Sequence, residues 1–91
     1  MTTSGSREKW LTCKLDRGMF SDEVAVTYPP TEHWQKSVFV PSACVRNWQP
    51  NGAKHEGEVK VVVLVKDGSM YAVLPSPQRD IVRVNDADLR A

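Results

Sequence analysis

Ninety-one residues are enough for one domain and not for two. Twelve Lys and Arg against eleven Asp and Glu leave a formal net charge of +1, which argues against a dedicated nucleic-acid coat or a polybasic membrane binder. At 41% hydrophobic and 25% charged the chain is apolar enough to fold, and no run approaches the ~20 apolar residues of a membrane-spanning helix.

Residues 1–9 are polar and carry Glu8, so they read as a disordered tail ahead of a single domain over 10–91, and not as a secretory or targeting segment. A cytoplasmic location is the expectation, with Cys13 and Cys44 as free thiols. Neither cysteine belongs to a C-x-x-C pair or a Cys/His cluster, so neither a metal nor another cofactor is expected.

Strand signals follow one another with no sustained helical period. Trp10 to Leu15 alternates, with Leu11, Cys13 and Leu15 on one face and Trp10 on the other; Asp16-Arg17-Gly18 then turns the chain. Val24, Val26 and Tyr28 share a face of the next strand, which Pro29-Pro30 stops because neither proline can donate to a sheet ladder. Ser37 to Val40 forms a third strand ended by Pro41.

Asn47 to Gly57 is polar, punctuated by Pro50 and Asn51-Gly52, and reads as a surface loop. Glu58 to Lys66 is the strongest strand in the chain. Val59, Val61, Val63 and Val65 share one face, while Val62 and Leu64 are apolar on the other, as in a central strand covered on both sides. Asp67-Gly68 is a hairpin turn into Met70 to Leu74, and after Pro75-Ser76-Pro77 a last strand runs from Asp80 to Val84. Asn85 to Leu89 reads as a single helical turn capped by Asn85 or Asp86.

The two halves are alike. Val38 to Arg46 matches Val82 to Arg90 at a constant offset of 44, and Val24-Ala25-Val26 corresponds loosely to Met70 to Val73. Each half, 10–46 and 58–91, is then a three-strand meander closed by a short helical turn that delivers Val45 or Leu89 to the core. Duplication and convergence of two small meanders both produce this pattern.

Six short strands without a long helix fit a small closed or nearly closed barrel. The ending apolar-x-apolar-Pro/polar-x-Ala-x-apolar resembles the closing segment of SH3-like small barrels, where a short 3₁₀ turn precedes the last strand. That resemblance implies an all-β, six-stranded SH3-like barrel; no functional residue is carried over from it.

For binding, Tyr28 to Lys36 stands out: two prolines stiffen a loop whose tip carries His33 and Trp34. Rigid aromatics supply contact area at low entropic cost. Trp48 extends the candidate surface, giving Tyr28, His33, Trp34 and Trp48 as binding residues. The competing reading folds Trp34 and Trp48 back as lids on the barrel.

Catalysis is poorly supplied, since His33 and His55 are the only imidazoles, both in loops, and no nucleophile has a motif-placed base. Cys44 is the more exposed thiol and Cys13 a small buried hydrophobe. Arg46, Lys54, Arg79 and Arg83, with Lys60 and Arg90, would serve a nucleic-acid surface. Seven cations from Arg46 onward meet six anions, however, so such a face must be created by folding.

The leading expectation is a non-catalytic protein-binding or assembly module, using the aromatic loop or an exposed edge strand that pairs with a partner or with itself. A nucleic-acid-associated barrel is one alternative. A tiny oligomeric enzyme with its site between subunits is the other, and such an arrangement resembles the plasmid-type dihydrofolate reductases at the level of fold.

Overall fold

The computed structural model describes residues 7–29, 36–50 and 53–91. It is an all-β domain in which one antiparallel sheet curls into a half-barrel, compatible with a small all-β barrel. Six strands form the continuous path: β1 (Glu8–Arg17), β2 (Glu23–Tyr28), β3 (Lys36–Pro41), β5 (His55–Lys66), β6 (Ser69–Val73) and β7 (Ile81–Arg83). Two strands of two residues each, β4 (Val45–Arg46) and β8 (Leu89–Arg90), lie off it. Spatial order is β3-β2-β1-β5-β6-β7, with β4 on β5 and β8 on β1. Among the described residues no helix is long and apolar enough to cross a membrane.

The register carries the likeness of the halves into space. Short 3₁₀ turns occupy Ser42–Cys44 and Asp86–Asp88, each leading into one of the two-residue strands. Val45 pairs with Val59 of β5, and Leu89 pairs with Leu11 of β1. Leu11 and Val59 are thus counterparts, and they also pair with each other at the β1–β5 junction. A two-fold relation through that pair converts β1-β2-β3-β4 into β5-β6-β7-β8. The remaining ladders obey it: Lys14↔Thr27 answers to Val62↔Val73, and Ala25↔Phe39 to Tyr71↔Arg83.

Alternation places Leu11, Cys13, Leu15, Val24, Val26, Val40, Val59 and Val61 on the concave side, where they are fully buried. Removing each such aliphatic side chain from water contributes about 1.5–3 kcal/mol. Val45 and Leu89 are partly buried and pack against this core.

Several boundaries differ from the sequence reading. β1 begins at Glu8, inside the stretch expected to be tail, and β5 begins at His55, inside the expected loop. Both extensions are polar and owe their strand conformation to pairing with the apolar part of the other strand, Glu8 lying opposite Val62 and His55 opposite Leu15. Gly57 sits in this extension because a Cβ there would lie 2.3 Å from Leu15 Cδ1. The second 3₁₀ turn has Asn85 at its N-cap, but no side-chain cap hydrogen bond forms. Finally, β5 is not covered on both sides: Val62 and Leu64 are 41% and 39% exposed. Their side chains lie on the face of the curled sheet turned away from the core.

Candidate functional site

The exposed side of β5-β6-β7 is built by register. Asp67 and Gly68 both adopt positive φ, at 52° and 78°, which a tight two-residue hairpin requires and which Asp-Gly supplies. This turn sets Val62 opposite Val73 and Leu64 opposite Tyr71. The β6–β7 turn then sets Val73 opposite Ile81 and Tyr71 opposite Arg83. Its geometry is held by Ser76, whose hydroxyl donates to Asp80 Oδ2 at 2.6 Å and accepts from the Asp80 amide at 3.0 Å.

Two rows cross the convex face as a result, Val62–Val73–Ile81 and Leu64–Tyr71–Arg83. Ile81 is 56% exposed, and Val73 and Tyr71 are half-buried. Cations border the rows. Lys60 is paired with Glu8 at 3.8 Å, whereas Lys66 and Arg83 have no ion-pair partner among the described residues.

The other half fills the same register positions with a different set of side chains. Under the two-fold relation, Val62–Val73–Ile81 corresponds to Lys14–Thr27–Ser37, and Leu64–Tyr71–Arg83 to Asp16–Ala25–Phe39. The first of these rows is polar throughout and is tied by a 2.9 Å hydrogen bond between the Thr27 and Ser37 hydroxyls. The equivalent register positions therefore hold mainly polar side chains in the first half, where Thr27 is 3% and Phe39 41% exposed, and mainly apolar ones in the second. A cluster of aliphatic side chains in water, rimmed by charge, is the surface chemistry of an interaction site.

The expected aromatic site is placed as follows. His33 and Trp34 lie outside the described residues. Tyr28 is 4% exposed and belongs to the core; its hydroxyl donates to Asp88 Oδ2 at 2.9 Å and accepts from the Asn85 amide at 3.4 Å, joining the first half to the second. Trp48 is half-buried and stacks on His55 with ring centroids 5.4 Å apart. His55 Nδ1 lies 2.9 Å from the Ala53 carbonyl, and its Nε2 lies 2.9 Å from the Asn47 carbonyl and 3.2 Å from the Gln49 amide, pinning the loop. A groove of about 350 Å³ beside Trp48 is lined also by Arg17, Met19, Phe20 and Pro50.

The residues considered for nucleic acid are spread over separate elements. Arg46 on β4 is engaged with Glu58 and lies 4.2 Å from the centre of the Trp10 ring. Lys54 precedes β5, Arg79 lies in the β6–β7 turn, and Arg83 is on β7. Arg90 Nη1 donates to the carbonyl of Ala87 at 2.8 Å.

Both cysteines are free. Burial, and after it the negative charges of Glu58 and Glu56, pushes the Cys13 thiol up to about 12, so it stays protonated and inert. Cys44 is partly exposed on a groove of about 360 Å³ whose walls include Val61, Leu74 and Pro75. Among the described residues no group of three or more His, Cys, Asp and Glu is arranged to hold a metal ion.

Sequence reasoning located the β5 apolar run but assigned Val62 and Leu64 to the interior. The signal that separates the two assignments is the comparison between halves: Lys14 and Asp16 stand where β5 has Val62 and Leu64. Comparison of the chain with protein-family models, curated proteins and solved structures returns no match.

Proposed function

We propose that this domain is a non-catalytic protein-binding module whose contact surface is the convex face of β5-β6-β7. One observation carries the reading: two halves with the same register present different outer faces, and only the second presents Val62, Leu64, Val73, Tyr71 and Ile81. The rim selects the partner. Lys66 and Arg83 have no ion-pair partner among the described residues, so the complementary surface is a protein segment that interleaves aliphatic with acidic side chains.

A random peptide library displayed on phage, selected against the native chain and against a Val62→Ser/Leu64→Ser variant, tests this. The expected result is enrichment of sequences mixing acidic and aliphatic residues, with at least about tenfold weaker binding to the variant, a loss of ~1.4 kcal/mol. An unchanged far-ultraviolet spectrum establishes that the variant is folded. Failure to enrich, or selected peptides that bind both proteins equally, would overturn the proposal.

A further inference from the structure

We infer that the partner segment binds as an added strand on β7, antiparallel to it, with an acidic residue opposite Arg83 and an aliphatic residue two positions later opposite Ile81. This rests on the recognition face proposed above and specifies how that face is engaged.

β7 ends the hydrogen-bonded path of the sheet, as β3 does at the other end. On its inner side the Val84 amide donates to the Met70 carbonyl at 3.0 Å and the Leu74 amide to the Asp80 carbonyl at 2.8 Å. Antiparallel bonding alternates between close and wide pairs, so Val82 turns its amide and carbonyl toward Ala72. Ile81 and Arg83 therefore turn theirs away from β6, toward an edge on which no described strand pairs. Two donors and two acceptors at a sheet edge are a template for strand addition. Among the described residues no strand pairs with β7 on its outer side, and a groove of about 380 Å³ lies between Ser37, Val38 and Phe39 of β3 and Pro77, Gln78 and Asp80 of the β6–β7 turn.

The side chains favour β7 over β3 as the site of addition. In a strand antiparallel to β7, the residues opposite Arg83 and Ile81 point to the convex face, beside those two side chains. The residue opposite Ile81 extends the Val62–Val73–Ile81 row by one position, and the residue opposite Arg83 meets a guanidinium with no partner among the described residues. The intervening residue lies opposite Val82, which packs against the core, and an aliphatic side chain suits it. Read from its N-terminus, the recognised motif is acidic–aliphatic–aliphatic. On β3 the corresponding positions are Ser37 and Phe39, backed by Thr27 and Ala25, which offer neither an aliphatic row nor a cation.

The test uses the native chain and an acetylated, amidated octapeptide, Ser-Thr-Glu-Val-Val-Thr-Ser-Gly, with amide exchange followed by NMR. Binding should slow exchange at the Ile81 and Arg83 amides at least about tenfold and leave Val82, already bonded to β6, unchanged. N-methylation of the peptide at Glu or at the second Val should abolish binding, while N-methylation at the first Val, whose amide points away, should be tolerated. Replacing Glu by Lys should weaken binding at least about tenfold.

Peptide binding that leaves the Ile81 and Arg83 amides unprotected would overturn strand addition while the face proposal stands. Equal binding of the Glu and Lys peptides would overturn the charge assignment, and absence of binding would overturn the motif. Protection of the two amides that grows with protein concentration in the absence of peptide would give the edge to a second copy of this chain instead.

Discussion

Val59 and Val62 are the same residue type on one strand, three positions apart and on opposite faces, which makes them a controlled comparison. Truncation to Ala removes two methyl groups, each with ~0.8 kcal/mol of transfer free energy. Val59 is fully buried at the junction of the halves, between Leu11 and Val45 in register, so a cavity term adds and Val59→Ala costs about 2–3 kcal/mol. Val62 retains 41% exposure, and the same truncation there costs at most about 1 kcal/mol. For a domain of this size each kcal/mol shifts the melting temperature by about 4–8 °C. Circular dichroism melts should therefore show Val59→Ala falling by about 10–20 °C and Val62→Ala by less than about 8 °C. Equal losses would mean that the convex face is a structural requirement of the sheet, and the argument for a binding surface would fail with it.

Three further outcomes follow from the packing and the charges. Tyr28→Phe removes the hydroxyl that donates to Asp88, at a cost of about 1–2 kcal/mol, and a double-mutant cycle with Asp88→Asn should show coupling; additive effects would contradict the contact. Gly57→Ala drives a Cβ to 2.3 Å from Leu15 Cδ1 and 3.0 Å from the Arg46 carbonyl, so a loss of about 1–3 kcal/mol in urea unfolding is expected, and a neutral outcome would refute the close approach. The thiol of Cys13, held up to about 12 when folded against 9.0 ordinarily, ionises first in the unfolded chain. The stability it contributes is complete below pH 9 and falls as the pH rises from 9 toward 12, by up to ~1.4 kcal/mol per pH unit. Cys13→Ala should flatten that decline between pH 8 and 10, and parallel pH profiles for the two proteins would contradict it.

The alternation of Leu11, Cys13 and Leu15, the Asp67-Gly68 turn and the matched endings at Val38–Arg46 and Val82–Arg90 were legible because each is a local pattern with a local cause. The starts of β1 and β5 were not. Glu8-Lys9 and His55-Glu56 have no apolar alternation of their own and become strand by pairing across the sheet, which only the register reveals. Tyr28 read as part of an aromatic loop because it precedes two prolines, yet its ring is 4% exposed and its hydroxyl meets Asp88 of the other half. The exposure of Val62 and Leu64 was hidden for a related reason. An apolar run on both faces of a strand looks the same whether its second face meets a core or a solvent-facing patch. Only its comparison with Lys14 and Asp16, the residues at the equivalent positions of β1, separates the two.

The recognition face is tested most directly by titrating the ¹⁵N-labelled chain with the Glu-Val-Val octapeptide and mapping amide shifts. Perturbations should centre on Val62, Leu64, Tyr71, Val73, Ile81 and Arg83, and should leave Lys14, Asp16, Ala25 and Ser37, their counterparts in the other half, unmoved. Perturbations centred instead on Trp48 and Phe20, or shared equally between the two halves, would contradict the assignment of binding to β5-β6-β7.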